Sequence, residues 1–291
     1  FFILSGFVMA KAYDGRFAKN LAPGAFLQAR LRRLWPTMAV GIGLGAIVAL
    51  LSGSGLFSTA GHVAAALTFV PDFTDPVGTY PLNGVQWSLA LEIFANILHA
   101  VWLWRWTDRQ LSIGLAIAGA ALAVMGLFHG DLSVGHWGDV WAMGFVRVSF
   151  PYLMGMWLFR RWSRQETIER SPLTILILPL TLLVAGRAHG ALLDVAVVIF
   201  ALPAIVWICA GVRLSCRYGK LAGIVGLLSY PLYAFHLPLL RLAEWLGHDV
   251  DGQRGWAMQL IAIGLGCVLA ALWAQTRPSM NYDKREPELA V

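Results

Sequence analysis

The sequence predicts an all-α fold, a polytopic bundle of transmembrane helices with about nine spans. Hydrophobic residues make up 58% of the 291 residues and charged residues only 13%, and the mean hydropathy is +0.66. A soluble domain carries roughly a quarter charged residues. The apolar runs are also long enough to cross the ~30 Å hydrocarbon core as helices, which satisfy their own backbone hydrogen bonds in lipid.

The predicted spans follow one another along the whole chain. Hydropathy places them at residues 1–10, 35–52, 87–104, 111–128, 138–159, 173–188, 192–210, 221–246 and 256–274. The first is only partial, so we expect the chain to begin inside a helix and to lack a preceding one. Residues 1–274 are predicted to form one transmembrane domain, and residues 275–291 a short charged tail.

Basic residues alternate between the loops that join these spans. Lys and Arg concentrate in every second loop, whereas the intervening loops contain only Arg187 and Arg254. Because cytoplasmic loops of membrane proteins are rich in Lys and Arg, we assign the basic loops to the cytoplasm. The C-terminus is then cytoplasmic, and the net charge of +6 requires no nucleic acid partner. We expect a multi-pass protein of the plasma (inner) membrane.

The third span carries a stripe of polar side chains. Ser88, Glu92, Asn96 and His99 recur at spacings that place them on one face of a helix. A carboxylate inside a membrane should face the bundle interior and have a partner. Two roles fit Glu92: a hydrogen-bonded group that fixes helix packing, or a member of a functional site.

A second polar stretch interrupts the span at 221–246. Ser229, Tyr233 and His236 share a helix face there, and prolines at two nearby positions predict a kinked or locally unwound helix. Histidine can act as a general base or a proton carrier, although a lone buried histidine is more often a satisfied core residue. The three cysteines have no metal-type spacing, so we expect no metal site.

Arginines in two other places need an explanation. Arg30, Arg32 and Arg33 stand in the first predicted cytoplasmic loop. They fit either ordinary contacts with anionic lipid headgroups or a clamp for an anionic cosubstrate, because guanidinium groups bind phosphates bidentately. Arg147 lies within the fifth span, where Glu92, a backbone carbonyl or water must compensate its charge.

Four short motifs occur along the chain in a set order. They are Phe2–Phe7 (F-x-L-S-G-F), Phe26 with Arg30, Arg33 and Pro36 (F-x-x-x-R-x-x-R-x-x-P), Trp87–Glu92 (W-S-L-x-x-E) and Ser229–His236 (S-Y-x-x-Y-x-x-H). In this order and spacing they resemble the acyltransferase 3 family of integral membrane O-acyltransferases.

The resemblance implies a ten-helix bundle with both termini in the cytoplasm. It implies transfer of an acyl group, often acetyl, from cytoplasmic acyl-CoA as cosubstrate, without a permanently bound cofactor. The acceptor would be a hydroxyl of a glycan, a lipid-linked sugar or a small secondary metabolite. The family's principal catalytic histidine belongs to the first helix, ahead of Phe1, so we expect residues 1–291 alone to be inactive.

The resemblance also suggests which residues form the site. The predicted cosubstrate-binding residues are Ser5, Gly6, Arg30 and Arg33, and the predicted catalytic residues are Glu92, Tyr233 and His236. The arginines would anchor the CoA phosphates from the cytoplasm, and the small Ser–Gly pair would let backbone or pantetheine approach closely. The catalytic residues would shape and polarise the acceptor side, and the topology from the loop charges places Glu92 and His236 in the outer half of their helices.

Two other classes of membrane protein remain open. A transporter or flippase also has broken helices and charges near the membrane midplane, and a non-catalytic membrane sensor could use the same scaffold. The Arg-x-x-Arg motif favours the acyltransferase, because a transporter does not require it.

Overall fold

The computed structural model is all-α, as predicted. It describes residues 1–76, 78–165, 171, 174, 177, 181, 190–212, 216–246, 263–269 and 271–273. The predicted span at 173–188 lies almost wholly outside the described residues, as do part of the span at 256–274 and the whole tail at 275–291.

Most consecutive helices are joined by short connections. They are α1 (Phe2–Ala18), α2 (Pro23–Leu51), α3 (Leu56–Leu67), α4 (Gln86–Val101), α5 (Asp108–His129), α6 (Met143–Trp162), α7 (Ala191–Ala196), α8 (Leu202–Ala210) and α9 (Cys216–Leu246). A 3₁₀ turn at Leu103–Arg105 follows α4, and a π-helical segment at Val197–Ala201 joins α7 to α8. Residues 263–269 and 271–273 are also helical.

Four helical stretches within the described residues are long and apolar enough to cross a membrane. They are Pro23–Leu51, Asp108–His129, Ala191–Ala210 and Tyr218–Leu246. Each coincides with a span that hydropathy predicted, and together they indicate a multi-pass membrane protein. The predicted spans at 87–104 and 138–159 are largely helical as well, but α4 is only 16 residues long and α6 contains three arginines.

Two helices extend well beyond their apolar segments. Helix α1 runs to Ala18, and α2 begins at Pro23. The predicted first cytoplasmic loop is therefore mostly helix, and its prediction as a loop is wrong. Hydropathy marks only the part of a helix that lies in lipid, whereas Ala, Leu, Gln, Lys and Arg are good helix formers at any depth. Proline at the first position of α2 suits a helix start.

Helix α9 is continuous where the sequence suggested unwinding. Pro231 and Pro238 both lie inside it, and the residues between them are helical. Of the two predicted alternatives, local unwinding is therefore wrong, and a kink stays a prediction. Membrane helices tolerate proline when neighbouring groups satisfy the carbonyls that it frees.

The chain forms two compact units. The first comprises Phe1–Leu34 and Phe69–Ser215, and the second comprises Trp35–Thr68 and Cys216–Val291. In the first unit α6 packs against α1, α4, α5 and α8. Its core includes the fully buried side chains of Met9, Leu122 and Met156. In the second unit the indole of Trp35 donates to the carbonyl of Leu67 at 3.0 Å.

Helices α1 and α6 touch backbone to backbone. A Cβ atom on Gly6 would lie 2.1 Å from the carbonyl oxygen of Tyr152, and one on Gly155 would lie 2.1 Å from that of Ile3. Only glycine fits at either position, which is the close approach that small residues permit between membrane helices. The sequence predicted that backbone or pantetheine would approach Gly6, and the neighbour that the structure places there is the backbone of α6.

Candidate functional site

A buried carboxylate joins three helices of the first unit. Glu92 on α4 is 5% exposed, and its Oε1 accepts hydrogen bonds from Ser5 Oγ on α1 and Arg30 Nη2 on α2, each at 2.8 Å. The partner that a membrane-buried carboxylate requires is therefore an arginine, supported by a hydroxyl. A buried charge without such a partner would be strongly destabilising.

The pairing changes the expected position of Arg30. The sequence assigned Arg30 to the cytoplasmic side and Glu92 to the outer half of its helix, and that separation is wrong because the two side chains are in contact. Arg30 lies two turns inside α2, deep enough to reach Glu92. Arg33, one turn further, is exposed, and so is Arg32.

The polar stripe of α4 faces the interior, as predicted. Ser88, Glu92, Asn96 and His99 are exposed by 8%, 5%, 1% and 0% respectively. These four side chains therefore occupy one buried face, with Glu92 near its middle and His99 close to the C-terminal end of the helix.

A hydrogen-bonded chain continues from this stripe towards the end of α1. The phenolic oxygen of Tyr152 lies 3.1 Å from Asn96 Oδ1 and 3.2 Å from His99 Nδ1. His99 Nε2 lies 2.8 Å from Asp14 Oδ1, and Arg160 Nη2 lies 3.4 Å from Asp14 Oδ2. We call these four residues, Asp14, His99, Tyr152 and Asn96, the imidazole chain.

Sequence reasoning identified two members of the imidazole chain but missed Asp14 and Tyr152. They lie on α1 and α6, and spacing within one helix cannot reveal a partner on another. The available signal was the acidic residue Asp14 in an otherwise basic stretch, because an acidic side chain beside a buried histidine is a natural partner for it.

Two buried donors near Glu92 have no hydrogen-bond partner among the described residues. They are Arg30 Nε and Asn96 Nδ2. Arg30 contacts Glu92 directly, and Asn96 follows Glu92 by one helical turn. Leaving a buried donor unsatisfied costs about 1–3 kcal/mol, so such donors often indicate a bound water or ligand oxygen.

Arg147 is compensated by a backbone carbonyl, one of the three partners that the sequence left open. Its Nη1 donates to the carbonyl of Val134 at 2.8 Å, and its guanidinium lies 5.0 Å from the ring centre of Trp87. The segment that contains Val134 also includes His136, whose carbonyl accepts from the backbone N–H and the hydroxyl of Thr79, both at 3.1 Å.

Two groups outside the membrane-spanning helices have shifted pKa values. Burial lowers the pKa of His136, and the positive charge of Arg147 lowers it further. Burial raises the pKa of Tyr80 well above its ordinary value, while its hydroxyl donates to the carbonyl of Phe69 at 2.8 Å.

Tyr233 and His236 lie in the second unit, on α9. Both are half-buried, and their ring centres are 5.9 Å apart. His236 Nδ1 lies 2.8 Å from the carbonyl oxygen of Tyr233. Because a carbonyl only accepts, this contact places a proton on Nδ1, and in a neutral ring Nε2 then has the lone pair of a base.

The described residues contain no group of three His, Cys, Asp or Glu side chains placed to hold a metal ion. Within the first unit, the described side chains bring together the paired carboxylate of Glu92, the guanidinium of Arg30 and the buried imidazole of His99.

Comparison with known proteins agrees with the motifs. A family model described as "Acyltransferase domain" matches residues 1–275. "Protein 2 in picA locus" of Rhizobium radiobacter is 33% identical over 141 residues, which cover 43% of this chain and 74% of that protein. No solved structure matches the chain. Because the family model covers nearly the whole sequence, this chain belongs to the acyltransferase 3 family.

Proposed function

We propose that this membrane protein transfers an acyl group, with acetyl as the first candidate, from acyl-CoA to a hydroxyl. The acceptor would belong to a glycan, a lipid-linked sugar or a small secondary metabolite. Family membership supports the reaction class. The observation that carries the proposal is the buried cluster of Ser5, Arg30 and Glu92, because ionisable groups within membrane helices are usually functional.

Acyl transfer from a thioester needs a base, a donor for the oxyanion and an anchor for the CoA phosphates. Arg33 is the proposed anchor, since it is exposed on α2 one turn beyond Arg30. Arg30 Nε, beside Glu92, is a donor without a hydrogen-bond partner in the described part of the chain, so it suits an oxygen of the bound acyl group or pantetheine. Ser5 forms the wall of this cluster on α1, whereas the neighbouring Gly6 faces the backbone of α6.

The acceptor side is assigned to the S-Y-x-x-Y-x-x-H motif, Ser229–His236, on α9. His236 has Nε2 available as a base when the ring is neutral, and Tyr233 lies beside it. These two side chains are proposed to orient and polarise the acceptor hydroxyl, and the same role is proposed separately for Glu92 in the first unit. No metal and no permanently bound cofactor enter this mechanism.

The proposed topology places acyl-CoA in the cytoplasm. The end of the first unit where α1 and α6 finish and α5 begins is rich in arginine, with Arg160 bound to Asp14 and Arg164 bound to Asp108. Positive charge marks the cytoplasmic side of membrane proteins. The nine spans, the tenth helix of the family and the cytoplasmic C-terminus remain part of this proposal, as does the plasma membrane location.

The reaction is tested with the native full-length protein in membranes that are supplied with acetyl-CoA labelled in the acetyl group. We expect label to appear in an alkali-labile ester, with one free CoA thiol released for each ester formed. If no acyl-CoA donates label, while the protein moves an intact glycan or lipid-linked sugar across the membrane, the protein is a flippase and the proposal is wrong.

The CoA anchor is tested by two neighbouring arginines. Arg33→Ala removes the proposed phosphate ligand, and Arg32→Ala removes an adjacent charge that is also exposed and lies outside the motif. We expect the KM for acyl-CoA to rise at least tenfold in the first variant and to stay within twofold in the second. If the two substitutions raise the KM equally, Arg33 contributes only general positive charge and is not a specific phosphate anchor.

A further inference from the structure

An open groove lies on the first unit, between α6 and the helical stretch that runs from Ala191 to Ala210. Its volume is about 580 Å³, within the range of about 300–1,000 Å³ that is typical of ligand pockets. All of its lining residues belong to the first unit, and the residues proposed for acyl transfer are not among them. We call this feature the α6–α8 groove.

One face of α6 forms the first wall of the α6–α8 groove. Met154, Trp157, Leu158 and Arg161 line it, at spacings that place them along one side of a helix. The wall is apolar for about two turns and becomes polar at the C-terminal end of α6, where Arg161 lies. Gln165, which follows the end of the helix, extends the polar part.

The second wall of the groove is apolar throughout. It includes part of the π-helical segment at Val197–Ala201, and such segments are frequent at functional sites. Phe200 within it is 71% exposed. The residues of this wall are Ile199, Phe200, Pro203, Ala204, Trp207 and Ile208. This side of the groove therefore offers hydrocarbon surface without charge.

Arg161 supplies the positive charge of the groove. Its side chain is exposed, and its guanidinium lies 5.1 Å from the ring centre of Trp157. Within the described part of the chain it forms no salt bridge and no side-chain hydrogen bond, whereas Arg160 and Arg164 bind Asp14 and Asp108. A guanidinium stacked on an aromatic ring still presents its N–H donors at its edge, so Arg161 can bind an anion.

The two parts of the groove together select the kind of ligand. A soluble anion would use Arg161 but leave the apolar walls uncovered, and a zwitterionic lipid would bring an ammonium group close to the guanidinium. An anionic phospholipid fits both parts, and basic pockets between membrane helices on the cytoplasmic side bind such head groups. Each wall also carries a tryptophan, Trp157 or Trp207, and the indole ring suits the boundary between hydrocarbon and head groups.

We infer that the α6–α8 groove binds an anionic phospholipid, with its phosphate at Arg161 and an acyl chain between the two apolar walls. The lipid connects α6 to α8 and acts as a structural ligand. This inference goes beyond the proposed function, because the lipid site exists whether or not the protein transfers acyl groups. Its tests therefore measure lipid binding and not turnover.

The head-group contact is tested by native mass spectrometry of the purified full-length protein in detergent. The probes are phosphatidylglycerol and phosphatidylcholine with the same acyl chains. We expect phosphatidylglycerol to bind about tenfold more tightly, because a charge-assisted hydrogen bond is lost with the zwitterionic lipid. Arg161→Gln should remove this preference. Equal binding of the two lipids by the parent would overturn the inference.

Arg105→Gln is the matched control for Arg161→Gln. Arg105 is also exposed and lies 4.8 Å from the ring centre of a tryptophan, Trp104, but it does not line the groove. This variant should keep the preference for phosphatidylglycerol. If both substitutions weaken binding equally, the lipid responds to general positive charge and the assignment to Arg161 is wrong.

The acyl-chain contact is tested by filling the groove. Ala204→Trp places an indole in it, and Ala196→Trp makes the same change at an exposed alanine that does not line it. We expect phosphatidylglycerol binding to fall about tenfold or more in the first variant and to stay unchanged in the second. Ala204→Leu replaces the first variant if the tryptophan prevents folding. Parent-like binding by the folded Ala204 variant would contradict the inference.

The position of the lipid is tested with phosphatidylglycerol that carries a photoactivatable diazirine in one acyl chain. After irradiation, we expect label in peptides that contain residues 154–165 and 199–208, and unlabelled phosphatidylglycerol should compete with it. Label confined to other peptides, or displacement by acetyl-CoA, would overturn the assignment. A lipid-free dimer that cross-links through these residues would assign the groove to a second copy of the chain instead.

Discussion

Arg30 and Glu92 stand 62 residues apart in the chain and 2.8 Å apart in the structure. Their side chains are 15% and 7% exposed, so solvent screens the pair little. The contact answers the question that the polar stripe of α4 raised, because Glu92 binds three helices together and at the same time belongs to the candidate site.

Removing one partner of this ion pair should lower the stability of the protein more than replacing both partners. Arg30→Ala leaves the buried carboxylate of Glu92 without its charged partner, and we expect the stability to fall by about 3–5 kcal/mol. The double variant Arg30→Met with Glu92→Gln should recover most of that loss, because it leaves no buried charge. Unfolding in detergent measures both, with Arg32→Ala as the exposed control. A single variant as stable as that control would contradict the buried ion pair.

The contact between α1 and α6 depends on glycine. Gly6→Ala places a methyl group against the Tyr152 carbonyl, which the helices can accommodate only by moving apart, and we expect a loss of about 1–3 kcal/mol or more. Gly15→Ala is the control, since a Cβ atom there has nothing within 4 Å. It should be neutral or stabilising by up to about 1 kcal/mol. Thermal unfolding compares the two, and similar losses would disprove the close approach.

His136 should make stability depend on pH. Because its pKa is lowered in the folded protein, the folded state binds the proton less well than the unfolded state does. Stability is therefore full above the ordinary histidine pKa of about 6.5 and falls as pH decreases below it. His136→Gln should flatten this dependence between pH 7 and pH 5. An unfolding midpoint whose pH dependence is unaffected by the substitution would contradict the assignment.

Arg147 should hold its connecting segment in place. Arg147→Met removes the donor to Val134 and the cation–π contact with Trp87, the latter worth about 0.5–2 kcal/mol. We expect faster chymotrypsin cleavage near Trp137. Arg105→Met is a matched control, because Arg105 also donates to a carbonyl, that of Val101, and lies 4.8 Å from a tryptophan ring, but is exposed. Equal cleavage rates in the two variants would argue against the anchor.

The sequence was sufficient for the fold class, for four of the spans and for the buried face of α4. Hydrophobic length and a 3.6-residue period report these directly, because both arise within a single helix. The same reasoning ended α1 too early and began α2 too late, because the polar end of a helix does not raise the hydropathy. It also predicted a kink or local unwinding of α9 from its prolines, and the continuous helix rules out the unwinding.

The partners within the site could not be read from the sequence. Ser5, Arg30 and Glu92 come from three helices, and the imidazole chain joins α1, α4 and α6. Their contacts depend on how the helices cross, and that depends on close packing at Gly6 and Gly155. Single-helix periodicity predicted which side chains of α4 are buried but not what each one touches.

The depth of Arg30 in α2 has a consequence for biogenesis. Because α2 is synthesised well before α4, Arg30 is made before its carboxylate partner Glu92 exists. At about 5–20 residues per second, Glu92 follows several seconds later. The arrival of α4 supplies the carboxylate that pairs with Arg30, so the contacts that join α1, α2 and α4 through Glu92 form only when the fourth helix is in place.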